Sequence, residues 1–358
     1  MTDLFEPLSF KRGPAMKNRF ALAPLTNCQS HPDGTLSQEE YDWLVMRARG
    51  GFGMVMTAAA FTDQVGKGFN GQVGIHDDKC IEGLSRLAAA IKAEGSVATT
   101  QLHHAGTRAE QKVTGLPPIA PSDDPQTGAR GMTEGEVEAM IEGFIAAAER
   151  AERAGFDGVE LHGAHTYILC GFLSAEANKR TDRYGGSLDN RARPIRTIID
   201  GIRARCRKDF NLGLRLSVES MGMDTADIRT LCQQLMQEDQ LDYLDLSLWD
   251  VFKEPVAEAF KGRPLVSWFT DLDRGSTRLG VAGQVRSAAT ARACLDAGAD
   301  IAFIGRAAIV NHDFPERSRR DADFAMPALP IAREQLAGEG ISPLFMDYLG
   351  TFPGFLAA

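Results

Sequence analysis

The chain is organised around one stretch, which reads Phe156-Asp157-Gly158-Val159-Glu160-Leu161-His162-Gly163-Ala164-His165-Thr166-Tyr167. Its short apolar run predicts a buried strand that begins at Gly158 and ends at Leu161. Two imidazoles follow, His162 and His165, and residues three apart share a face in a turn or in the first turn of a helix. Tyr167 adds a hydroxyl two residues further on.

These three side chains are the groups that an enzyme needs to hold a carbonyl oxygen and to deliver a proton beside it. Taken singly, a histidine at a strand end is more often bonded to the backbone, and a tyrosine there is more often part of the packing. Because His162, His165 and Tyr167 all follow one strand, we predict that they are catalytic.

The rest of the chain alternates short apolar runs with helical patterns. The predicted strands cover residues 20–26, 53–58, 97–102, 158–161, 211–217, 241–246, 277–282 and 301–304. Eight strand–helix units in one alternation favour an α/β fold, a single (β/α)8 TIM barrel, over a doubly wound open sheet. No linker-like change in composition interrupts the pattern, so one domain is predicted over residues 1–358.

An excursion over residues 106–130 interrupts the alternation after the third strand. It is longer than an ordinary connection, and such a length indicates a functional loop over a pocket. A helix is predicted from Thr133 to Ala154, because Thr133 and Glu136 have the spacing of a capping box.

Composition limits the classes of partner. The net charge of −9 among 358 residues argues against nucleic acid and anionic membranes as partners. No apolar run is long enough to span a bilayer, and the first residues carry no secretory signal. The six cysteines form no C-x-x-C pair, which disfavours a cysteine-ligated metal site and a disulfide framework. We therefore expect a soluble cytoplasmic protein that acts on a small molecule.

The barrel prediction brings further residues to the carboxyl ends of strands, where such barrels carry their chemistry. These candidates are Thr26, Ala60, Gln101, Arg215, Gly283, Gly305 and Arg306. Glycines after the last two strands, with an arginine and the start of a helix, are typical of a phosphate site. Arg215 lies within a strand and needs a negative partner, which is either Glu160 or Asp245 in a salt bridge or an anionic ligand.

Several motifs are distinctive when they are taken together. They are Lys17-Asn18-Arg19-Phe20 with Ala23-Pro24-Leu25-Thr26, Gln101-Leu102-His103-His104-Ala105-Gly106, His162 to Tyr167, Asn178-Lys179-Arg180-Thr181-Asp182-Arg183-Tyr184-Gly185-Gly186-Ser187 with Asn190-Arg191, and Gly305-Arg306. These motifs resemble those of the old yellow enzyme family of FMN-dependent ene-reductases, and the resemblance extends from Leu4 to about Pro315.

The resemblance implies a non-covalent FMN, with NADPH or NADH as reductant, and reduction of the C=C bond of an α,β-unsaturated carbonyl or nitro compound. It implies that hydride goes from flavin N5 to Cβ and a proton from Tyr167 to Cα, while His162 and His165 hold the oxygen. The cofactor-binding residues that it implies are Ala23, Pro24, Leu25, Thr26, Ala60, Gln101, Arg215, Gly283, Gly305 and Arg306.

The sequence also departs from the family pattern. His103 stands where many members have tryptophan, so the resemblance places it in the substrate pocket as a substrate-binding residue. The tail 342–358 contains no arginine to extend into a neighbouring subunit's site, and its aromatic residues predict either a subunit interface or a packed cap. The chain is therefore open to homo-oligomer formation, and monomer, dimer and tetramer all remain.

Two rival functions remain from the residues alone. A barrel metal-dependent hydrolase would use His103, His104, His162 and His165 as ligands, although neighbouring strand residues point to opposite faces. A non-catalytic flavin-binding protein is the second rival. No metal site is predicted.

Overall fold

Eight parallel strands close into a barrel at the centre of the computed structural model, which describes residues 3–357. The strands of the chain are β1 (Phe20–Leu22), β2 (Met54–Phe61), β3 (Val97–His103), β4 (Ile119–Ala120), β5 (Arg130–Gly131), β6 (Gly158–Gly163), β7 (Asn211–Ser217), β8 (Tyr243–Ser247), β9 (Arg278–Ala282) and β10 (Ile301–Ile304). The order around the barrel is β1-β10-β9-β8-β7-β6-β3-β2. The short strands β4 and β5 pair only with each other.

The predicted barrel is confirmed, because β1 pairs with both β2 and β10 and leaves no open edge. An open doubly wound sheet would end in two unpaired edge strands. The predicted domain 1–358 includes Met1, Thr2 and Ala358, which lie outside the described residues. That domain assignment stays a prediction.

Helices fill the connections between the barrel strands. They are α1 (Gln38–Arg49), α2 (Ile81–Ala93), α3 (Gln111–Thr114), α4 (Glu134–Arg153), α5 (Ile168–Leu173), α6 (Leu188–Arg205), α7 (Thr225–Gln237), α8 (Ser267–Thr270), α9 (Ala288–Asp296), α10 (Arg306–Val310), α11 (Phe314–Arg320), α12 (Arg333–Ala337) and α13 (Pro343–Gly350). Short 3-10 turns cover Asp78–Cys80, Gly106–Arg108 and Glu258–Phe260. Among the helices formed by residues 3–357, none is both long and apolar enough to cross a membrane.

Local sequence signals set several helix boundaries. The predicted capping box is present: the Thr133 side chain accepts from the Glu136 backbone N–H, and the Glu136 side chain accepts from that of Thr133. The helix predicted near residues 263–272 shrinks to α8, because it has no side-chain cap and only four residues adopt helical geometry.

Two boundaries differ from the predictions in ways that matter for the site. Strand β6 continues past Leu161 to Gly163, so His162 is a strand residue. Ala60 lies inside β2, which runs to Phe61, and not beyond its end. The ladder to β3 extends β2, since Ala60 pairs with Leu102. The ladder to β7 extends β6, since His162 pairs with Arg215 and Gly163 pairs with Leu216.

An N-terminal hairpin covers the amino ends of the strands. Leu8 and Met16 form an antiparallel bridge, and both side chains are buried with the barrel interior. Phe10 packs against Tyr243 at the start of β8, with ring centroids 6.0 Å apart. With this end filled by apolar side chains, the carboxyl ends of the strands are left as the place for a ligand.

Arg47 connects three parts of the chain from a fully buried position on α1. Its guanidinium donates to the carbonyl oxygens of Ala308 (3.2 Å), Ile309 (3.3 Å) and Glu339 (2.8 Å). It also lies 3.7 Å from the Glu339 carboxylate. The arginine therefore joins α1 to α10 and to the C-terminal segment, and a buried guanidinium is tolerated only where its donors are satisfied.

Replacing Arg47 by methionine is predicted to destabilise the fold by about 3–5 kcal/mol, because the substitution leaves several buried carbonyl oxygens without their donor and removes the cation beside the buried Glu339 carboxylate. Guanidinium chloride unfolding measures the change. Arg49→Met is the matched control on the same helix, since Arg49 is 69% exposed in its pair with Glu94. That control should cost at most about 1 kcal/mol. Equal costs for the two variants would contradict the role given to Arg47.

Candidate active site

A cavity of about 650 Å³ opens at the carboxyl ends of the barrel strands. This volume is within the range of roughly 300–1,000 Å³ that is usual for small-molecule sites. Its walls are formed by residues that follow β1, β3, β6, β8, β9 and β10, together with the C-terminal segment. The barrel closure brings these loops together although they are far apart in the sequence.

Most of the predicted site residues meet at this cavity. Those that line it are Ala23, Pro24, Leu25, Thr26, His165, Tyr167, Arg215, Gly283, Gly305 and Arg306. Four others lie behind its wall as buried residues, namely Ala60, Gln101, His103 and His162. The exposed fractions of His103 and His162 are 1% and 5%, so each imidazole reaches the cavity at most by one edge.

The two histidines and the tyrosine converge, but by a different route from the one predicted. His162 lies on β6, and His165 has a left-handed backbone with φ of 60°, so the pair does not share a helical turn. Their ring centroids are nevertheless 5.2 Å apart, and the Tyr167 ring is 4.9 Å from that of His162. The left-handed turn directs the His165 ring back over the end of the strand.

Both imidazoles are neutral hydrogen-bonding groups. Burial lowers the pKa of His162 well below its usual value, and burial followed by the charge of Arg215 lowers that of His165 to about 3. His165 Nε2 lies 2.7 Å from the Ser247 hydroxyl, and its backbone N–H donates to Ser217 Oγ at 3.0 Å. In the part of the chain that the structure describes, His162 Nδ1 is buried without a hydrogen-bond partner.

A hydrogen-bond network assigns the tautomer of His103. Gln72 Oε1 accepts from the Gly68 N–H, which orients the amide so that its nitrogen donates to the Ala59 carbonyl and to His103 Nδ1. Nδ1 therefore accepts, and the proton of the neutral ring is on Nε2. The His103 and Tyr167 ring centroids are 4.3 Å apart.

A set of buried charges lies beneath the cavity. Arg215 Nε is 3.2 Å from Asp245 Oδ2, an ion pair held by charge and not by an aligned hydrogen bond. Glu160 is also buried, and Gln101 Nε2 donates to its Oε1 at 2.7 Å. Burial, and then the charge of Asp245, raises the pKa of Glu160 to about 8. With one guanidinium for two carboxylates, Asp245 keeps the ion pair and Glu160 is protonated near neutral pH.

Two arginines without acidic partners mark the opposite side of the cavity. Arg286 and Arg306 both line it, and neither forms a salt bridge with any residue in the range 3–357. Burial lowers the pKa of Arg306, and the charge of Arg286 lowers it further. A Cβ built on Gly305 would find only Leu25 Cδ2, at 3.9 Å, so the backbone there faces open space. The arrangement suits a dianionic group such as a phosphate.

Gly283, which was also predicted as a phosphate-binding residue, is a glycine for a different structural reason. A Cβ on Gly283 would come within 2.8 Å of the Trp249 carbonyl carbon, so protein backbone already excludes a side chain there. Trp249 is the centre of a γ-turn, with φ of 61° and an Asp250 N–H that donates to Leu248 O. Such a turn is rare and strained for a bulky residue.

Strained backbone concentrates around the cavity. In the range 3–357, eight non-glycine residues have positive φ, and five of them line it: His165, Thr166, Met221, Trp249 and Gln284. Strain of this kind persists where the surrounding structure holds it, and it clusters at functional sites. The strained residues therefore indicate that the cavity is the functional site, and this indication does not depend on any sequence motif.

The C-terminal segment forms one wall of the cavity within its own chain. Tyr348 and Leu349 of α13 line it, followed by Phe352, Pro353 and Phe355. Phe345 anchors the helix by an edge-on contact with Trp43, with centroids 5.5 Å apart. Of the two predicted roles for the aromatic tail, the packed cap is therefore present.

Sequence reasoning missed several cavity residues, which are Arg108, Met221, Ser247, Trp249, Gln284, Arg286 and Tyr348. Arg108 lies in the excursion that was predicted to cover a pocket, and Arg286 lies three residues after Gly283. Because both follow a predicted barrel strand, the sequence could have indicated that they lie at the cavity. No local pattern indicated this for Tyr348, because the sequence does not show where the C-terminal segment folds back.

No metal centre emerges among residues 3–357, since no three His, Cys, Asp or Glu side chains there are grouped to hold an ion. His104 turns away from the cavity: its Nδ1 accepts from the Gly106 N–H, and its Nε2 is 3.6 Å from Asp63. The four histidines named for the hydrolase alternative are therefore not arranged among the described residues as a set of metal ligands.

Known proteins resemble this chain in sequence and in fold. Residues 3–323 match the model of the NADH:flavin oxidoreductase / NADH oxidase family. The chain is 38% identical over 319 residues to the "Probable NADH-dependent flavin oxidoreductase YqiG" of Bacillus subtilis, covering 86% of this chain and 85% of that protein. It is 36% identical to the NADH:fumarate oxidoreductase of Klebsiella pneumoniae over 88% of its own length, but it spans only 36% of that protein.

Solved structures of related enzymes have the same fold as this chain. The old yellow enzyme homologue from Zymomonas mobilis superposes with a TM-score of 0.81 at 25% identity, covering 96% of this chain and 99% of the other. Morphinone reductase in complex with tetrahydroNAD has a TM-score of 0.78 at 27% identity, and 94% of each chain is covered.

The protonated state of Glu160 predicts a pH-dependent effect of Glu160→Gln on stability. A carboxyl group whose pKa rises on folding, here from 4.5 to about 8, contributes stability at low pH that is lost as pH rises through this window. Glutamine has no such loss. The melting temperature of the variant relative to the wild type should therefore be higher at pH 9 than at pH 5.

Thermal unfolding followed by circular dichroism at both pH values measures this difference. Glu82→Gln, on the exposed face of α2, is the matched control, and its effect should be the same at both pH values. A Glu160→Gln difference that does not change with pH would contradict the assignment.

Proposed function

Because the chain belongs to the NADH:flavin oxidoreductase / NADH oxidase family, we propose that it reduces the activated C=C bond of α,β-unsaturated carbonyl or nitro compounds. It is an FMN-dependent NAD(P)H oxidoreductase of the old yellow enzyme type. The observation that carries the proposal is the convergence of His162, His165 and Tyr167 on one side of the cavity.

The residues present fit FMN. Arg286 and Arg306 would hold its phosphate, since they are two cations without acidic partners in the part of the chain that is described. Ala23 to Thr26 would line the ring, and Arg215 would face the part of it that gains negative charge. Gln101 and Ala60 are buried behind this wall. Bound FMN would supply the hydride-transfer chemistry, from NADH or NADPH to the substrate's β-carbon.

The chain's own side chains polarise and protonate the substrate. His162 and His165 are neutral, so each offers one N–H to the oxygen of the substrate. These hydrogen bonds strengthen as the oxygen gains enolate character, and a difference of this kind between ground and transition state accelerates a reaction. Ser247 holds His165 Nε2 at 2.7 Å, and Arg215 Nη2 donates to the same hydroxyl at 3.4 Å.

In the proposed reaction, Tyr167 delivers the proton to the α-carbon. Its ring lies between the His103 edge at 4.3 Å and the Arg108 guanidinium at 4.8 Å, and the residue is only partly buried. This packing restricts the ring to one orientation beside the histidines. A positioned hydroxyl that needs no rearrangement is what general acid catalysis requires.

The proposal predicts three successive absorbance changes in one cuvette. The purified protein should be yellow, should bleach with NADH or NADPH without oxygen, and should recover its colour when cyclohexenone is added. A flavin that bleaches and does not recover with any enone or nitroalkene would sink the ene-reductase proposal. A flavin that NAD(P)H does not reduce would favour a storage role.

Tyr167→Phe is predicted to slow recovery of colour with the enone by about 10²-fold or more, because the proton then has to come from water. Bleaching by NADH should change much less, since that step needs no proton donor to carbon. Stopped-flow absorbance separates the two half-reactions. Tyr41→Phe, on α1 and outside the cavity, is the control. Wild-type reoxidation in Tyr167→Phe would exclude Tyr167 as the donor.

A further inference from the structure

Arg108 is a cavity residue whose side chain packs against Tyr167, but whose charge has no place in the proposed reaction. It ends the 3-10 turn Gly106–Arg108 that follows β3, and its guanidinium lies 4.8 Å from the centroid of the Tyr167 ring. Its Nη1 donates to the His165 carbonyl oxygen at 3.3 Å. A cation–π contact and a backbone hydrogen bond thus hold this cation beside the substrate-polarising residues.

The charge of Arg108 has no protein counter-ion in the described part of the chain. Its neighbour Glu110 pairs with Lys112 at 2.9 Å, and no carboxylate of residues 3–357 lies within 4.0 Å of the Arg108 guanidinium. The charge reaches the site, because it contributes to the lowered pKa values of His103, His162 and His165. A fixed cation that makes no ion pair is available to a ligand.

The other cavity arginines are assigned to other groups. Arg215 is paired with Asp245 beneath the cavity. Arg286 and Arg306, which would hold the FMN phosphate, follow β9 and β10, and these strands lie opposite β3 and β6 in the barrel order. Arg108 is therefore across the mouth from them, so the FMN phosphate would not be its counter-ion.

We propose that Arg108 binds a carboxylate carried by the substrate, so that the preferred substrates are α,β-unsaturated carbonyl compounds with a separate carboxylate group. This inference rests on the proposed ene reduction and specifies its substrate class. The planar guanidinium matches a carboxylate in a bidentate geometry. His162 and His165 hold the carbonyl oxygen, and Arg108, bonded to His165 itself, holds the second anchor on the same side of the cavity.

The position favours a substrate carboxylate over the phosphates of the nicotinamide dinucleotide. Those phosphates are separated from the reacting nicotinamide ring by a ribose, which sets them away from the hydride-transfer position. Arg108 instead touches Tyr167 and His165, the groups closest to the reacting bond. A small ligand with two carbonyl groups can place one of them at the two histidines and the other at Arg108.

The test compares an anionic enone with its neutral ester. The anion is trans-β-acetylacrylate and the ester is its methyl ester, which share the reacting atoms. In Arg108→Gln holoenzyme, the ratio of kcat/KM for the anion to kcat/KM for the ester should fall by about 10- to 100-fold, the range for losing a charge-assisted hydrogen bond. Arg108→Lys, which keeps the charge without the planar fork, should fall less.

Arg86→Gln is the matched control. Arg86 is also an exposed arginine over a tyrosine, with its guanidinium 4.6 Å from the Tyr41 ring, but it lies on α2 outside the cavity. Removing the same charge there should leave the anion-to-ester ratio unchanged. An equal fall in Arg86→Gln would reduce the effect to overall net charge and would overturn the proposal.

Two further measurements separate the remaining outcomes. Titration of oxidised holoenzyme with each compound, followed by flavin absorbance, should show weaker binding of the anion alone in Arg108→Gln. The titration tests the role of Arg108 without any turnover. If the wild-type enzyme reduces neither compound, the proposed function is refuted, but the role of Arg108 in binding is still decided by the titration. A loss seen with NADH but not with N-benzyl-dihydronicotinamide, at an unchanged anion-to-ester ratio, would assign Arg108 to the dinucleotide phosphates and overturn the proposal.

Discussion

One guanidinium shared by two buried carboxylates is the constraint on which the site depends. Arg215 on β7 lies between Glu160 on β6 and Asp245 on β8, and all three side chains are buried. Charges at this depth persist only when they are paired or neutralised. The ion pair with Asp245 and the proton on Glu160 meet this requirement together. The same arginine donates to Ser247, whose hydroxyl contacts the His165 ring, so the buried charges are connected to the cavity wall.

Burial also decides how the histidines act. His103, His162 and His165 lie near two arginines, and desolvation is the first cause of the lowered pKa of each ring. A neutral imidazole offers one N–H and one acceptor, so its partners determine what it presents to the cavity. Gln72 makes this choice for His103, and Ser247 contacts the ring of His165. In the proposed ene reduction, the imidazoles of His162 and His165 both serve as hydrogen-bonding groups, and the proton is assigned to Tyr167.

The cavity is held open by strained loops on a rigid frame. Hydrogen bonds between eight strands fix the ends of the barrel, and the turns that leave those ends include five non-glycine residues with positive φ. Trp249 is held by the close approach of Gly283, while Arg47 connects α1 to the segment that leads into the C-terminal wall. The packing and hydrogen bonds of the barrel and its helices thus offset the free-energy cost of the strained backbone at the mouth of the cavity.

The sequence by itself determined the barrel, most strand positions and the capped helix after Thr133, because periodicity and caps are local signals. The ten predicted residues that line the cavity were named from their places at strand ends and from the family resemblance of their motifs. Tertiary structure alone decided that Asp245 and not Glu160 pairs with Arg215, since both carboxylates lie on strands adjacent to β7. It also decided that Arg108 has no counter-ion among residues 3–357, that Gly283 makes room for Trp249, and that Tyr348 returns to the cavity. Each of these depends on distances between residues remote in the chain, which no local pattern encodes.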